Sequence, residues 1–379
     1  MMKKNSLLLM VFIISSCSTL NFWSDDDEDL ESPKELSAIE NRVDLSINWK
    51  RSSKGANYLG AFEPAFSGQE VFFADEEGII RSLSRETGRV NWEEKLDFQL
   101  SVGVAYGFGK LAFSDTQGNL YLFDIDSKSI DWSSNTGSEV LANPVIDARF
   151  VVTRTSGGEL QAYSMSTGER VWSFRSQLPP LTVRGTSSPI LSQGNVISTF
   201  DNGRIGVFQL NTGFLIWDSP ISYIKGASEL ENLIDSHSRP VVIDSLMYAT
   251  NYQGNISIYD LAQQRQVWAE EASSLVPPLV LNNMIVVIQD NGSILSFSNR
   301  TLQQSWLNED YLRRKLSNAV EFNGNILVGD LDGYLHIIDV LNGITLGRKK
   351  VSSKAIKSIV NRGDAVFVVD EDLSIISIN

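Results

Sequence analysis

The sequence contains very few of the residues that build disulfide-linked or metal-centred proteins. Among its 379 residues are one cysteine, Cys17, and two histidines, His237 and His336. A single thiol excludes disulfides within the chain and metal sites built on cysteine clusters. Neither histidine has a metal-ligand partner at usable spacing, and His336 lies in an alternating strand pattern, where packing is its expected role. We therefore expect no metal, no cofactor and no histidine-based catalytic triad.

Other motifs of enzyme chemistry are missing as well. The segment Asp330-Leu331-Asp332-Gly333 resembles the start of a calcium loop, but the later ligands, including the closing glutamate, do not follow. Because Asp-Gly is also a dipeptide that hairpin turns favour, we interpret the segment as a turn. The sequence has no Walker-type phosphate loop, and its glycine-containing turns fit strand reversal. These observations predict a protein that is not an enzyme.

The first residues form a targeting signal that is too short to span a membrane. An apolar run from Leu7 to Ile14 follows two lysines and ends in Ile14-Ser15-Ser16-Cys17. This arrangement resembles a bacterial lipobox, at which the leader is removed and the cysteine is lipidated. We predict a signal peptide over residues 1–16 and lipidation of Cys17. The alternatives are a secretory leader whose cysteine stands there by chance, or an uncleaved anchor.

The residue after the cysteine indicates the membrane in which the lipoprotein is anchored. It is Ser18, where lipoproteins that stay in the inner membrane typically have aspartate. The resemblance therefore implies a lipid-anchored protein on the periplasmic face of the outer membrane.

Acidic residues outnumber basic residues, 46 to 32, which gives a net charge of −14. This balance argues against nucleic acid or an anionic membrane surface as the main partner. Five consecutive acidic residues, Asp25-Asp26-Asp27-Glu28-Asp29, follow the lipobox closely. Like charges in a row resist compaction, so we predict a lipidated acidic tether over residues 17–42 and a folded body over residues 43–379.

One sequence repeat recurs through the folded body. It consists of a short predicted strand, a turn with glycine, a strand with alternating apolar residues, a polar turn, and then an apolar residue and tryptophan. In one copy, Gly158 leads through Leu160 and Thr167-Gly168 to Trp172. We expect these tryptophans to pack between adjacent repeats, with each indole N–H bonded to a neighbouring backbone group. The tryptophans at this position are Trp49, Trp92, Trp132, Trp172, Trp217, Trp268 and Trp306. A seventh full copy has Gly347 at the corresponding position.

Two half-repeats lie at opposite ends of the body. Ile47-Asn48-Trp49 is a tryptophan-bearing strand without its predecessors, whereas the segment from Val366 to Ser377 has inner strands but no tryptophan. Joined, they complete an eighth repeat, as the closure of a ring of sheets requires. The sequence thus predicts an all-β fold, an eight-bladed β-propeller with four-stranded blades, closed by pairing of an N-terminal strand with C-terminal strands.

The spacing of the tryptophans reveals two insertions. It is 40 residues from Trp132 to Trp172, but 45 from there to Trp217 and 51 from there to Trp268. In both longer intervals the extra residues follow the tryptophan and precede the next inner strand. We therefore expect both insertions on the same face of the propeller, next to each other.

Both insertions carry residues suited to contact with a partner protein. In the first, Leu181 and Val183 alternate beside Arg184, and in the second, Ser228 and Glu231 have the spacing of a helix capping box. An apolar patch with an arginine is typical of a protein contact surface. The alternative is that these residues plug the central channel or cover their own loops.

The tryptophan-bearing blades resemble those of the pyrroloquinoline-quinone dehydrogenases, which are also eight-bladed. Those enzymes hold a quinone and calcium with acidic ligands, and commonly have a vicinal disulfide. This chain has a single cysteine, which we assign to lipidation. The resemblance therefore implies the fold, but neither the cofactor nor the dehydrogenase activity.

A closer resemblance covers nearly the whole chain. The lipobox, the acidic tether, the eight blades and phrases such as Leu181-Thr182-Val183-Arg184-Gly185 and Asp332-Gly333-Tyr334-Leu335-His336 resemble the BamB family, the propeller lipoproteins of the outer-membrane β-barrel assembly (Bam) machinery. This resemblance implies a scaffold of the Bam complex that binds the periplasmic domains of its central barrel protein, BamA, and promotes insertion of nascent barrels.

The resemblance also implies which residues contact BamA. By position, the family's contact residues correspond to Leu181, Val183, Arg184 and Asp235, and His237 occupies the place of a second acidic residue. Nascent outer membrane proteins are a further expected partner, through strand addition to blade edges, although propeller edges are short and guarded. The alternative function is a periplasmic lipoprotein that recognises cell-wall sugars or a small ligand in the central channel.

Overall fold

The chain folds into repeated four-stranded antiparallel β-sheets. The structure, a computed structural model, describes residues 32–53, 59–179, 187–222 and 238–379. Across these ranges, 32 strands form eight such sheets, each of which is a blade of a β-propeller. The same ranges contain no helix that is long and apolar enough to cross a membrane. The predicted all-β fold with eight four-stranded blades is confirmed.

Strands are numbered in chain order, and within a blade they are called first to fourth from the central cavity outwards. Blade 1 consists of β2 (Ala65–Ser67), β3 (Glu70–Ala74), β4 (Ile79–Ser84) and β5 (Val90–Lys95). Blade 2 consists of β6 (Leu100–Gly107), β7 (Lys110–Asp115), β8 (Asn119–Asp124) and β9 (Ser129–Asn135). Blade 3 consists of β10 (Val145–Ile146), β11 (Phe150–Arg154), β12 (Glu159–Ser164) and β13 (Arg170–Arg175). Blade 4 consists of β14 (Ile190–Ser192), β15 (Asn195–Thr199), β16 (Arg204–Gln209) and β17 (Leu215–Pro220).

The second half of the ring follows the same order. Blade 5 consists of β18 (Val241–Ile243), β19 (Leu246–Thr250), β20 (Asn255–Asp260) and β21 (Arg265–Glu271). Blade 6 consists of β22 (Leu279–Val280), β23 (Met284–Ile288), β24 (Ile294–Ser298) and β25 (Gln304–Asn308). Blade 7 consists of β26 (Val320–Phe322), β27 (Asn325–Gly329), β28 (Tyr334–Asp339) and β29 (Thr345–Lys350). Blade 8 consists of β30 (Ile356–Asn361), β31 (Val366–Asp370), β32 (Ile375–Ile378) and β1 (Ile47–Arg51).

The core lies between the blades, around their second and third strands. In β31 all five residues of Val-Phe-Val-Val-Asp are buried, whereas in the outer strand β13 only Trp172 is buried. Because neighbouring blades cover both faces of an inner strand, continuous runs of β-branched and aromatic residues suit these positions. One apolar cluster joins Phe367 of blade 8, Phe72 of blade 1 and Leu111 of blade 2. Each blade thus completes the core of its neighbours.

The ring closes by pairing of the two ends of the chain. Strand β1 runs antiparallel to β32, with Ile47 opposite Ile378 and Trp49 opposite Ser377. Just before β1, the backbone N–H of Ser46 donates to the carbonyl of Asn379 at 2.8 Å, and the N–H of Asn379 donates back at 3.0 Å. The predicted closure is therefore confirmed, and it includes the last residue of the chain.

A β-bulge recurs at one position in all eight blades. In blade 3, Trp172 is opposite Ala162 but Arg170 is opposite Tyr163, so Val171 is an extra residue in the fourth strand. The other blades have the same extra residue directly before the tryptophan, or before Gly347 in blade 7. A bulge re-aims the side chain beside it. The sequence pattern locates these tryptophans but does not reveal the bulge that orients them.

The described residues that precede β1 follow the edge of blade 7. Pro33–Asn379 form one compact unit, and we call residues 33–46 of it the N-terminal strap. The backbone N–H of Lys34 donates to Leu312 at 3.0 Å and that of Arg42 to Leu346 at 2.8 Å. The strap therefore includes residues at the end of the predicted tether. The division of the chain at residues 17 and 43 remains a prediction.

The strap also accounts for the blade without a tryptophan. A Cβ atom on Gly347 would collide with the carbonyl oxygen of Val43. Val43 and Leu45 pack in the apolar cluster of blades 7 and 8 that contains Ile337. The strap thus fills the space that a tryptophan at residue 347 would need, and only glycine permits this close approach of the two backbones.

Candidate functional site

The loops of each blade lie on one of two faces. The turns between second and third strands and the connections between blades share one face, which we call the insertion face because both predicted insertions are such connections. The first insertion joins β13 to β14, and the second joins β17 to β18. The predicted contact residues Leu181, Val183, Arg184, Asp235 and His237 lie outside the described residues, as does the predicted lipidation site Cys17.

The ends of the two insertions are joined by buried hydroxyl groups. Ser187, at the end of the first, donates its Oγ–H to the carbonyl of Ser238, at the end of the second, at 3.0 Å. The Oγ1 of Thr250 donates to the Oγ of Ser238 at 2.8 Å. Ser187 and Ser238 are each 1% exposed. Buried hydrogen bonds of this kind hold their partners in place, so both insertions rejoin the propeller at adjacent, fixed points.

The beginnings of the insertions are anchored in a similar way, each to a turn of the following blade. The Nδ2 of Asn202 donates to the Oγ of Ser176 at 3.1 Å, before the first insertion. Before the second, Ser222 donates to the Oδ1 of Asn251 and accepts from the N–H of Asn255, both at 2.8 Å. Four polar anchors on the insertion face therefore flank the two predicted contact segments.

A buried ion pair links blades 3 and 4, the two blades that the first insertion connects. The guanidinium of Arg154, at the end of β11, contacts the carboxylate of Asp201, in the second-to-third turn of blade 4, and each side chain is 1% exposed. The ion pair was not predicted from the sequence, although an arginine at the end of an otherwise uncharged strand, Phe-Val-Val-Thr-Arg, could have indicated it.

A central cavity of about 760 Å³ opens beside the ends of both insertions, where Ser188 and Arg239 contribute to its lining. Phe62 is the one aromatic side chain among the described residues that line it. Its charged lining is balanced between acids and bases: Glu63, Glu321, Glu371, Arg239, Lys357 and Arg362. The alternative function, ligand binding in the channel, requires a polar funnel lined with aromatic residues. The lining of this cavity is polar, but it contains only one aromatic residue among the described residues.

One of the cavity cations is held in an unusual setting. The guanidinium of Arg362 lies 4.3 Å from the centroid of the Phe66 ring. Burial lowers the pKa of Arg362, and the charges of Arg85 and Arg239 lower it further. The charge of Glu63, whose carboxylate lies 3.7 Å from the guanidinium of Arg239, acts in the opposite direction and raises the pKa of Arg362. The cavity lining therefore contains both positive and negative side chains in equal number, and its electrostatic potential is not dominated by one sign.

Aspartate side chains in the turns of the insertion face accept hydrogen bonds from the backbone of their own turns. Asp330 accepts from the backbone N–H groups of Asp332 at 3.0 Å and Tyr334 at 2.9 Å. Asp75, Asp115 and Asp370 accept from backbone N–H groups of their own turns in the same way. Among the described residues, no group of three or more His, Cys, Asp or Glu side chains is placed to hold a metal ion. The geometry at Asp330 is that of the turn inferred from the sequence.

His336 belongs to a buried polar cluster in blade 7. Its Nε2 lies 3.1 Å from Oδ2 of Asp330, and the Nε–H of Arg348 donates to its Nδ1 at 3.2 Å. Arg314 donates to the same carboxylate oxygen at 2.8 Å. Because Nδ1 accepts a hydrogen bond, the ring carries its proton on Nε2 and is neutral. The same cluster reaches the strap, since Arg314 donates to the carbonyl of Lys34 at 3.0 Å.

The pKa values of this cluster follow from its burial. Burial lowers the pKa of His336 below its usual value, despite the opposing effect of Asp330. Burial by itself would raise the pKa of Asp330, but hydrogen bonds from His336, the Tyr334 amide and Arg314 leave it below its usual value. A neutral histidine between a carboxylate and two guanidinium groups is a structural arrangement that joins β28, β29 and the strap.

The structure places the seven predicted tryptophans at the junctions between blades. Four indole N–H groups donate to a backbone carbonyl of the next blade, at 2.7 to 3.1 Å: Trp49 to Arg85, Trp132 to Met165, Trp172 to Leu210 and Trp306 to Val340. In these four junctions the indole also contacts a glycine in the third-to-fourth turn of that blade, namely Gly88, Gly168, Gly213 and Gly343. Trp92, Trp217 and Trp268 instead contact the rings of Phe123, Tyr259 and Phe297 of the next blade.

The fold is an eight-bladed β-propeller in which seven blades carry the tryptophan and a strand from each chain end completes the closing blade. Two anchored loop insertions lie on one of its faces. The family model for the outer membrane protein assembly factor BamB matches residues 76–308. The BamB of Yersinia pestis is 30% identical to this chain over 93% of it and 92% of its own length. The chain belongs to the family of the outer membrane protein assembly factor BamB.

Solved structures agree on the fold. The crystal structure of BamB from Moraxella catarrhalis superposes with a TM-score of 0.82, at 22% identity over 88% of this chain and 99% of that one. A europium-containing methanol dehydrogenase superposes with a TM-score of 0.67, at 13% identity over 88% of this chain and 86% of that one. At such identities these two structures support the arrangement of blades, and they do not assign an activity.

Proposed function

We propose that this protein is a non-enzymatic scaffold lipoprotein of the Bam complex. It binds the periplasmic domains of BamA through the insertion face and promotes the assembly and insertion of β-barrel outer membrane proteins. It is attached by lipid on Cys17 to the periplasmic face of the outer membrane. The predicted contact residues are Leu181, Val183, Arg184, Asp235 and His237.

The observation that carries the proposal is the anchoring of the two insertions. Ser187 and Ser238 hold the ends of both insertions together by a buried hydrogen bond of 3.0 Å. Two short segments that rejoin a rigid scaffold at adjacent points form one surface, and loops presented by a rigid scaffold are common sites of binding. Membership of the BamB family supports the same role, since relatives of this chain are outer membrane protein assembly factors.

The proposal is tested by binding of the purified full-length protein to the periplasmic domains of BamA from its own organism. Replacement of an arginine at the centre of an interface commonly costs about 2 kcal/mol or more, which is about 30-fold in affinity. Arg184→Ala should therefore weaken binding by at least that factor without a change in melting temperature. Arg300→Ala is the matched control, because Arg300 is exposed in a turn of blade 6 on the opposite face.

Two results would count against the proposal. The first is the absence of binding by the wild-type protein. The second is equal weakening by Arg184→Ala and Arg300→Ala, which would point to general electrostatic attraction. Absence of wild-type binding would favour the second candidate function, a periplasmic propeller lipoprotein that binds a cell-wall component or small ligand. The observation that favours this candidate is the central cavity of about 760 Å³ with its charged lining.

A further inference from the structure

A pocket of about 200 Å³ lies between blades 4 and 5, on the face opposite the insertions. It is bordered by the first-to-second turns of both blades, which contain Gln193 and Asp244, and by the third-to-fourth turn of blade 5, which contains Gln264. Sites for small ligands usually have volumes of about 300 Å³ or more. This pocket is therefore of a size for one long side chain and too small for a typical cofactor.

The pocket lies where the packing of a tryptophan departs from the common pattern. In four other junctions the indole contacts a glycine of the next blade, but the corresponding residue in blade 5 is Gln264, whose φ is 53°. Trp217 remains half-buried there and lines the pocket. Within the described residues, its Nε1 has no hydrogen-bond acceptor. The indole of Trp217 thus borders the pocket, and its N–H group is available as a hydrogen-bond donor.

The lining has the chemistry of a cation site. Asp244 is the only charged side chain among the lining residues, and it is exposed and makes no ion pair within the described part of the chain. The carboxamides of Gln193, Asn195 and Gln264 supply further oxygen acceptors. The nearest basic residue in sequence, Arg265, donates to the side chain of Gln263 at 2.7 Å. The pocket therefore combines an unpaired carboxylate, amide oxygens and an indole.

We propose that this pocket binds the guanidinium group of an arginine from a partner protein. A guanidinium is planar, always charged and rich in donors, so that it suits a carboxylate and also stacks on aromatic rings. The net charge of −14 attracts basic segments of partner proteins. Since the pocket and the insertions lie on opposite faces, the arginine site is separate from the proposed BamA contact and does not depend on it.

The test is a titration of the full-length protein, ¹⁵N-labelled at its tryptophan indoles, with Nα-acetyl-arginine amide. The indole N–H signal of Trp217, assigned by its loss in Trp217→Phe, should shift as the probe is added. Asp244→Asn should weaken binding by about two- to fivefold, as expected for one exposed ion pair. Asp147→Asn is the matched control, because Asp147 lies in the first-to-second turn of blade 3 and its loss changes the net charge equally.

Three outcomes would overturn the proposal. One is an unmoved Trp217 signal at all probe concentrations. Another is an equal shift with Nα-acetyl-citrulline amide, which has the same shape but no charge. The third is equal weakening by Asp244→Asn and Asp147→Asn, which would mean that the probe responds to overall charge alone. A shift confined to Trp217 that needs both the guanidinium and Asp244 supports it.

Discussion

The indole of Trp172 in blade 3 contacts Gly213 in blade 4, and its Nε1–H donates to the carbonyl of Leu210 at 2.7 Å. A Cβ atom on Gly213 would lie only 2.6 Å from the indole Cδ2. Tryptophan and glycine therefore form a pair across the junction, although they belong to different repeats. The same pair recurs wherever the next blade has a glycine in its third-to-fourth turn.

The pairing also explains the repeat without a tryptophan. Blade 8 has no third-to-fourth turn, because its third strand, β32, ends the chain and its fourth strand, β1, begins near the other end. A tryptophan at Gly347 in blade 7 would have no turn to contact. The N-terminal strap occupies this place instead, so the missing tryptophan is a consequence of the way the ring closes.

Gly213→Ala should destabilise the protein for two reasons. Its φ of 68° lies in the left-handed region, which costs a residue with a Cβ about 1–2 kcal/mol, and the new methyl group would meet Trp172. Overpacking adds about 1–3 kcal/mol. Gly194→Ala is the control, because Gly194 has a φ of 76° but no atom near its Cβ position. Equal losses in the free energy of unfolding by urea would show that the contact with Trp172 contributes nothing.

Gly347→Ala should release the N-terminal strap, because its Cβ would collide with Val43. The N–H of Arg42 is bonded to Leu346, so trypsin can cleave after Arg42 only when the strap leaves blade 7. A local cost of about 1–3 kcal/mol should speed this cleavage about fivefold or more. Gly324→Ala in the same blade, with nothing near its Cβ position, should leave the rate unchanged. A rate unchanged in Gly347→Ala would argue that the strap is not held at this point.

Stability should fall as the pH drops from about 7.5 to 5.5. Burial keeps the pKa of His336 below its usual value of 6.5, so the unfolded chain takes up a proton before the folded protein does. His336→Asn should weaken this dependence of the urea unfolding midpoint on pH. His237→Asn, which removes the only other histidine, should retain it. The same slope in His336→Asn as in the wild type would contradict the assignment.

The lowered pKa of Asp330 predicts a second loss of stability in more acidic solution, as the pH falls through and below its usual value of 3.8. Because the carboxylate accepts hydrogen bonds from His336 and Arg314, its protonation would remove the negative charge and weaken both, which urea unfolding at pH 5 and pH 3 would measure.

Arg154→Met should cost about 3–5 kcal/mol, because it leaves the carboxylate of Asp201 buried without its partner. Arg204→Met removes an ion pair with Asp218 whose side chains are both 41% exposed, and should cost less than about 1 kcal/mol. The double variant Arg154→Met with Asp201→Leu should recover most of the loss, since no charge is then buried. A loss as small as that of Arg204→Met would mean that water reaches Asp201.

The blades and their closure could be predicted because they depend on local patterns. Tryptophan recurs near the end of each repeat, and Ile47-Asn48-Trp49 completes the strands that end the chain. Contacts between blades could not be predicted in the same way. The pairs Trp172 with Gly213 and Arg154 with Asp201 join residues more than 40 positions apart, and nothing in the local pattern of either partner specifies the other.

Less of the candidate functional site than of the fold could be predicted from the sequence. The tryptophan spacing located both insertions, but the hydrogen bond between Ser187 and Ser238 depends on two serines that resemble many others in the chain. The contact residues themselves, Arg184 among them, remain predictions from resemblance. Residues 33–42 of the strap were expected to be solvated because of their neighbouring charges, and their backbone hydrogen bonds, such as that from Arg42 to Leu346, were not foreseen.

The hydrogen bonds between Ser46 and Asn379 tie the first blade strand to the final residue. During synthesis, β1 is therefore made some 330 residues before its partner β32 and must wait until that strand has been translated. Until then, blade 8 is incomplete and the ring stays open between blades 8 and 1. A chain without β32 would retain seven complete blades but could not close the ring, because β1 would have no strand to pair with. Proteases or chaperones that recognise unpaired strand edges could therefore detect incomplete molecules at this one blade.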